Sequence, residues 1–164
     1  MTGLPYVIRV VVPTLELRRP KVPVRGMDLA GNVEAVGSTV TRFQPGDEVF
    51  GWTDGGSYAE YACAPEDHFA PKPSNLSVAQ AAAVPISGFA ALQVVRDNGQ
   101  VQPGQRRRIL SSTPRQEDLQ TLRELLEDGK VTPLIDRTFP LAEVPQAIRQ
   151  MVQGHGGGKV VITG

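Results

Sequence analysis

The chain has 164 residues and a formal net charge of zero at pH 7, so it offers no electrostatic reason to expect nucleic acid or a membrane as a partner. Its one cysteine excludes an internal disulfide framework and a cysteine-rich zinc site, and no stretch has 18 uninterrupted apolar residues, which together predict a cytoplasmic protein. The 17 glycines and 14 prolines favour short strands and turns over a helix bundle.

The chain opens with an apolar run at residues 7–12 that ends at Pro13. Residues 15–24 are rich in proline and basic side chains. Because proline cannot donate to a strand ladder, this segment is predicted to be an exposed irregular or edge segment. Nothing in it indicates a catalytic group.

Residues 26–51 carry the clearest pattern of the chain. Their apolar side chains fall mostly on alternate positions and glycines interrupt them repeatedly, which predicts short, strongly bent strands of a small β-barrel. The sequence QPGD at residues 44–47 places proline and glycine where a tight turn needs them, so it is predicted to join two strands.

This stretch resembles the GroES-like catalytic domain of the medium-chain dehydrogenase/reductase superfamily. That family has Gly-His-Glu-x-x-Gly-x-Val-x-x-Val-Gly followed by Gly-Asp-x-Val, and here the sequence reads GMDLAGNVEAVG at 26–37 and GDEV at 46–49. Met27 stands where zinc-dependent members have a histidine, and a thioether is a poor ligand for Zn²⁺. The resemblance therefore implies the zinc-independent quinone or enone reductase branch, with no metal site.

In the resembled family several strands precede this motif, along with residues that line the substrate pocket. Here only a short segment precedes it. Two explanations remain open: the protein begins late, or it is a fragment whose barrel lacks its opening strands and leaves strand edges unpaired.

The segment after Trp52 contains SYAEYACA at residues 57–64, whose alternation predicts another strand, as is usual in the family. His68 has two interpretations, a general base or metal ligand and a surface histidine between turns. The second is favoured because no further His or Cys stands at ligand spacing. Cys63 is interpreted as a small strand residue, since no neighbour would lower its pKa.

From residue 76 the apolar period lengthens to that of a helix. Ser77 is a good N-cap for a helix over 78–84, Pro85 interrupts it, and a second helix over 88–97 is stopped by Asn98 and Gly99. The resemblance places this region at the cleft between catalytic and nucleotide domains, so cofactor-binding candidates are Ser87, Gly88 and Phe89. The alternative, that these three residues simply pack a helix crossing, stays open.

The join near residue 105 decides the domain organisation. Family members continue from VQPGQ, here residues 101–105, into a glycine-rich turn that holds a dinucleotide pyrophosphate. This chain instead continues with three arginines at 106–108, more typical of a solvated face than of a nucleic-acid site, and has no Gly-x-Gly-x-x-Gly turn. The prediction is a GroES-like core at 1–105, with helices from about 77, and a tail at 106–164, with the Rossmann domain absent.

The tail is predicted to be a strand-helix-strand-helix-strand unit. Helices are expected at 116–128, closed by Gly129, and at 141–152, with strands at 131–135 and 158–163. A phosphate-loop interpretation of the glycines before Lys159 is not favoured, because no Ser or Thr follows the lysine. The resemblance implies instead that Lys159 is a remaining cofactor-binding contact near the pyrophosphate.

The predicted fold is therefore α+β, a GroES-like partly open β-barrel with flanking helices. Intact relatives would bind NADPH and transfer hydride to a small-molecule quinone or α,β-unsaturated carbonyl without metal. No catalytic residue is named, and activity of this truncated chain by itself is not expected. The alternative function is a non-enzymatic GroES-like binding or oligomerising module, which would pair as a homodimer.

Overall fold

The computed structural model describes residues 24–97, 112–154 and 157–164. Its first part is a three-stranded antiparallel sheet in the order β1, β2, β3, formed by Asp28–Asn32, Glu48–Trp52 and Phe69–Pro71. The central strand β2 is buried from Val49 to Trp52, whereas β1 is half-buried, as expected for a strand at the edge of a sheet.

The turn predicted at residues 44–47 is confirmed. The Asp47 N–H donates to the Gln44 carbonyl over 3.1 Å, and Gly46 has a φ of 95°, a value that side-chain-bearing residues rarely adopt. Val33 then pairs with the end of this turn, because its N–H donates to the Asp47 carbonyl over 2.9 Å. The turn therefore sets the register with which β2 returns along β1.

Two helices follow the sheet, and their boundaries come from local signals in the sequence. Helix α1 spans Val78–Ala82, and Ser77 caps it through a reciprocal pair of hydrogen bonds with Gln80. Helix α2 spans Pro85–Asp97, and its proline occupies a first-turn position, where the missing N–H costs nothing. Both predicted helices are confirmed, although α2 begins at Pro85 rather than Gly88.

Helix α3, Gln116–Glu127, ends before Gly129 as predicted. One face of α3 buries Leu119, Leu122 and Leu126 against Phe50 of β2 and Phe89 of α2. Burial of each leucine contributes roughly 2 kcal/mol. The core thus joins residues from both sides of the domain boundary predicted near 105, and that boundary itself lies outside the described residues.

The remaining elements form a smaller unit. Strands β4, Ile135–Pro140, and β5, Lys159–Thr163, pair in parallel, and a 3-10 turn at Leu141–Glu143 leads into helix α4, Val144–Gln153, between them. Proline within the first turn of α4 is tolerated as predicted. This strand-helix-strand unit brings Lys159, at the start of β5, within 3.9 Å of Asp28 in β1.

Two strand predictions are wrong. Residues 57–64 form no strand: Ser57 and Tyr58 donate backbone bonds to the segment before β1, but the described residues provide no partner strand further along. An alternating pattern of side chains does not make a strand when no neighbouring strand is available for its backbone hydrogen bonds. The strand predicted at 131–135 begins only at Ile135, because the N–H of Val131 turns back to the Leu125 carbonyl and Pro133 has no N–H.

Several predictions concern residues outside the described ranges: those for residues 7–23, for the helix stop at 98–99, for the arginines at 106–108 and for His155 and Gly156. Within those ranges the fold is α+β, with an open sheet, flanking helices and no doubly wound parallel sheet. No helix in the described part of the chain combines the length and apolar character needed to cross a membrane.

Candidate functional site

A cavity of about 470 Å³ lies between the two units of the fold. Its walls come from three places: β1 with the residues that follow it, the irregular segment 57–64, and β5 near the C-terminus. Val33, Val40 and Phe43 give it an apolar lining, whereas Asp28, Tyr58 and Lys159 bring polar groups to it. An apolar cavity with a few convergent polar groups is the usual form of a small-molecule site.

Asp28 connects this cavity to the start of helix α2. Its Oδ1 accepts a hydrogen bond from the Ile86 N–H over 2.7 Å. Pro85 has no N–H, so the Ile86 N–H is the first donor at this helix end that needs an acceptor. Asp28 therefore caps α2 from a distant strand, and the partial positive charge of the helix terminus faces its carboxylate.

Lys159, at the start of β5, lies on the other side of Asp28. Its Nζ is 3.9 Å from Asp28 Oδ2, at the limit of an ion pair, and 38% of its side chain is exposed. Burial raises the pKa of Asp28, although the Ile86 N–H and the charge of Lys159 act in the opposite direction. Lys159 is thus a cation in the cavity wall that forms only a weak ion pair with the Asp28 carboxylate.

Tyr58 and Ser57 complete the polar part of the wall. Burial, with a smaller contribution from the charge of Asp28, raises the pKa of the Tyr58 phenol, so this group stays a hydrogen-bond donor at neutral pH. Ser57 Oγ is buried and has no hydrogen-bond partner within the described structure. The cavity wall therefore contains a phenol, a carboxylate and an ammonium group, whereas the Ser57 hydroxyl lies buried beside Gly26.

The four predicted cofactor-binding residues occupy different environments. Lys159 lines the cavity. Ser87 is exposed, Gly88 packs closely on Leu122 of α3, and Phe89 is fully buried with its ring edge-on to Trp52 at 5.1 Å. Gly88 and Phe89 thus take part in the helix crossing that the sequence left as an alternative, and their role in cofactor binding stays a prediction.

His68 stacks on Trp52, with ring centroids 4.4 Å apart. It is partly buried rather than fully at the surface, and its contacts are those of a packing residue. Cys63 is exposed in the irregular segment, and Met27 is exposed at the cavity wall. Within residues 24–97, 112–154 and 157–164, no cluster of three or more His, Cys, Asp or Glu side chains could hold a metal ion.

The described residues do not form a complete dinucleotide site. A pyrophosphate needs several backbone N–H groups at a glycine-rich helix start, together with cations. Here the N–H of Ile86, at the start of α2, already donates to Asp28, and Lys159 is the cation that the cavity wall provides. The described part of the chain therefore fits one phosphate contact, not the whole cofactor.

Sequence reasoning did not select Asp28 or Tyr58 as site residues. Asp28 stands in the family motif directly after Met27, at the position of the motif's glutamate, and this was the available signal. Tyr58 was interpreted only as part of a strand. Neither role is readable locally, because Ile86 lies 58 residues from Asp28 in the sequence.

Comparison with known families identifies two matches. The zinc-binding dehydrogenase family profile matches residues 53–162, and the alcohol dehydrogenase GroES-like domain profile matches residues 8–74. The first covers well over half of the chain. Met27 is consistent with a branch of this group that does not use the histidine ligand.

Two curated relatives are similar over part of their length. The chain is 36% identical over 107 residues to a chloroplastic quinone-oxidoreductase homolog of Spinacia oleracea, covering 62% of this chain and 32% of that protein. It is 38% identical over 90 residues to quinone oxidoreductase of Mus musculus, covering 54% of this chain and 27% of that one. The chain thus spans about a third or less of the length of these relatives.

A solved structure supports the fold. The quinone oxidoreductase from Coxiella burnetii superposes with a TM-score of 0.75 at 20% identity, covering 87% of this chain and 80% of that chain. At this identity the likeness concerns the fold and not the chemistry. The arrangement of open sheet, flanking helices and closing parallel strand pair is therefore one that solved proteins share.

Proposed function

This chain belongs to the medium-chain dehydrogenase/reductase superfamily, in its quinone-oxidoreductase-like branch, and we propose that it supplies the catalytic-domain part of an NAD(P)H-dependent oxidoreductase. The proposed substrate class is a quinone, the compound for which the two curated relatives are named, or the chemically similar α,β-unsaturated carbonyl. The cofactor of this chemistry carries the hydride, and the protein provides binding and orientation.

The observation that carries the proposal is the position of Lys159 in the wall of the cavity, opposite the motif residue Asp28. The partly exposed ammonium group of Lys159 can turn from the Asp28 carboxylate, 3.9 Å away, to a phosphate at little cost in free energy. An ion pair at this distance contributes about 1 kcal/mol or less. Lys159 is therefore proposed as a contact to a phosphate of NADPH.

The rest of the cavity suits the organic part of a substrate. Valine and phenylalanine side chains give an apolar surface, and the protonated phenol of Tyr58 can donate a hydrogen bond to a carbonyl oxygen. A donor aimed at that oxygen polarises a quinone or enone. No residue is proposed as a proton-transfer catalyst.

Turnover by this chain without further protein is not expected. The described residues offer one phosphate contact rather than a pyrophosphate-binding turn, and a complete reductase needs both cofactor and substrate held in register. We propose that the chain contributes a substrate-side wall and a single cofactor contact. Cytoplasmic location stays a prediction from the single cysteine.

The test is a titration with NADPH, followed by the fluorescence of the cofactor itself. We expect saturable binding tighter than about 1 mM, equivalent to about −4 kcal/mol. Lys159→Gln should weaken it about tenfold, since it removes one charge-assisted contact. Lys130→Gln is the matched control, because Lys130 is an exposed lysine paired with Asp128, away from the cavity wall.

Absence of NADPH binding up to several times that concentration would refute the cofactor role of this chain. Equal effects of the two lysine substitutions would show that binding reflects general charge and not the cavity. A parallel titration with NADH distinguishes a contact to the additional phosphate of NADPH from one to the pyrophosphate that both cofactors share.

A second candidate function, a non-enzymatic binding or oligomerising module, is favoured by a different observation. The smaller unit exposes three large apolar side chains, Leu134 at 67%, Met151 at 60% and Val152 at 81%. Exposed apolar groups of this size are typical of protein-interaction surfaces when they lie together. A homodimer by sedimentation that Met151→Ser/Val152→Ser converts to monomer, together with no NADPH binding, would favour this function.

A further inference from the structure

The two carboxylate oxygens of Asp28 have partners of unequal strength. Oδ1 accepts the Ile86 N–H over 2.7 Å, and the start of α2 fixes the position of that donor. Oδ2 lies 3.9 Å from Lys159 Nζ, beyond hydrogen-bond distance. The Asp28 side chain is 26% exposed and the Lys159 side chain 38%. The carboxylate is therefore held firmly at one oxygen and weakly at the other.

The elements packed around Asp28 bring few other titratable groups to it. Helix α1 has no ionisable side chain, and α2 has its ionisable side chains in its last turn, far from the cap. Tyr58 faces Asp28 from the irregular segment, and burial together with the charge of Asp28 raises the pKa of its phenol, which stays protonated at neutral pH. His68 stacks on Trp52, the residue that pairs with Asp28 across the sheet. Among the described residues, Lys159 is the cation that forms an ion pair with this carboxylate.

A phosphate that attracts Lys159 changes the balance of charge at Asp28. Burial raises the pKa of Asp28 and Lys159 opposes that effect, so the ionised carboxylate loses support when the ammonium group turns to a ligand. The phosphate also brings a further negative charge to the same cavity wall. Both changes favour the protonated carboxyl. The Ile86 N–H is compatible with this form, because the carbonyl oxygen of a carboxylic acid still accepts a hydrogen bond.

We propose that Asp28 takes up a proton from the solvent when Lys159 binds a phosphate group of the cofactor, so that binding at this cavity is linked to pH. The new O–H bond forms at Oδ2, the oxygen on the side of Lys159, while Oδ1 keeps the Ile86 N–H. No bond to the ligand is made or broken, and the carboxyl gains one proton. The inference rests on the phosphate contact of Lys159 proposed above and states how that contact is regulated.

The direction of the pH dependence follows from this linkage. At low pH Asp28 is already protonated, and Lys159 is free to bind the phosphate. At high pH the ligand must break the ion pair between Lys159 and Asp28, and no proton compensates for it. An ion pair of this exposure changes an equilibrium constant by about fivefold or less. Phosphate affinity should therefore fall by up to about fivefold as the pH rises through the pKa of Asp28.

Carbon-13 NMR of the Asp28 carboxyl in the full chain measures the proposed proton uptake. NADP⁺ is the probe, because reduced nicotinamide decomposes in acid. A saturating concentration should raise the titration midpoint of Asp28 by about 0.7 pH units, the equivalent of a fivefold change. Lys159→Gln should raise the midpoint by a similar amount without ligand, since it removes the same cation. Lys130→Gln is the control and should leave the midpoint unchanged, because Lys130 pairs with Asp128.

Equilibrium dialysis of NADP⁺ between about pH 4 and about pH 8 measures the effect on affinity. The dissociation constant of the unsubstituted chain, divided by that of Asp28→Asn, should rise by about fivefold across this interval. This ratio cancels the titration of NADP⁺ itself and of His68, which both proteins share. Glu60→Gln is the matched control, because Glu60 is an exposed carboxylate of the same cavity wall, and its ratio should change by less than about twofold.

The outcomes separate this inference from the proposed function. Binding of NADP⁺ with an unchanged Asp28 midpoint, or with a ratio that is independent of pH, would overturn the inference and leave the cofactor contact intact. An unchanged midpoint in Lys159→Gln would overturn it too, since Lys159 would then give the ionised carboxylate no support. Equal pH dependence of the Asp28→Asn and Glu60→Gln ratios would replace it with a general effect of charge. Absence of NADP⁺ binding at every pH would overturn both the inference and the proposed function.

Discussion

Asp28 allows the sharpest prediction about stability, because its carboxylate has two separable effects. It accepts the Ile86 N–H over 2.7 Å, which stabilises the start of α2, and it is a charge whose burial raises its pKa. Asp28→Asn keeps an acceptor oxygen and removes the charge. Asp28→Ala removes both, so the pair of variants distinguishes the hydrogen bond from the charge.

The expected magnitudes follow from the geometry. Loss of a capping acceptor costs about 1 kcal/mol, so the free energy of unfolding of Asp28→Ala at pH 7 should lie below that of Asp28→Asn by that amount. Asp28→Asn should be as stable as the unsubstituted chain or more stable, because it no longer buries a charged group. It loses the 3.9 Å contact with Lys159, which contributes little at this exposure, and part of the attraction to the start of α2; the direction of the Asp28 pKa shift makes both smaller than the cost of burial.

The dependence on pH follows from the direction of the pKa shift. The folded protein holds the Asp28 proton more tightly than the unfolded chain, so ionisation favours unfolding. As pH rises from 3.8, the ordinary pKa of an aspartate carboxyl, through the raised pKa of Asp28, the unsubstituted chain should lose stability relative to Asp28→Asn. Tyr58 does not titrate in this interval, because its own pKa is raised from 10.0.

Urea unfolding followed by the fluorescence of Trp52, which is buried in the core, measures these differences. The reasoning is refuted if the unsubstituted chain gains stability relative to Asp28→Asn over that interval. Such a result would mean that the Ile86 N–H and Lys159 outweigh the burial of the carboxylate. Equal stability of Asp28→Ala and Asp28→Asn would show that the cap contributes nothing.

Two further predictions concern packing and buried charge. Gly51→Ala places a methyl group against the His68 backbone carbonyl and should destabilise the fold by about 2 kcal/mol or more, measured by thermal unfolding. Gly31→Ala is the control, because a methyl group there meets open space and should change the stability little. Equal effects of the two substitutions would contradict the close approach of Gly51 to His68. Asp118 of α3 is fully buried and accepts bonds from an arginine and a glutamine of α2, so Asp118→Ala should cost about 3 kcal/mol by urea unfolding. The exposed neighbour substitution Glu117→Gln should stay within about 0.5 kcal/mol, and a similar cost for both would refute a specific role of the buried carboxylate.

Features that depend on a few neighbouring residues were predictable from the sequence. The cap at Ser77, the turn at Gly46, the helix end at Gly129 and the tolerated proline early in α4 all appear where the local chemistry predicts them. In each case the hydrogen-bond partner or the required φ belongs to residues three or four positions away. The family motif added the fold class, since its spaced glycines and apolar positions are specific.

Features that depend on a distant partner were not predictable. Residues 57–64 alternate like a strand, yet in the described structure they bond only at their start. The segment 131–135 has strand-like composition, but the N–H of Val131 completes the end of α3 instead. A strand needs a neighbour with open backbone groups, and the chain's local pattern does not contain that information.

The same distinction applies to the cavity. Lys159 was selected from the family resemblance, and the structure places it in the cavity wall beside Asp28. The resemblance also selected Gly88 and Phe89, which the structure places against Leu122 and Trp52. A glycine that approaches a cofactor and one that lets two helices pack have the same sequence signature, because both need only the missing side chain.

The sequence by itself therefore determined the family, the fold class, the approximate positions of the helices and the absence of a histidine at the metal-binding position of the motif. Only the tertiary structure decided which polar groups share a cavity and that Asp28 caps a helix 58 residues away in the sequence. The physical reason is how far apart in the sequence the interacting residues lie. Capping and turn preferences act within one helical turn, whereas burial, ion pairing and strand pairing depend on which distant segments the folded chain brings together.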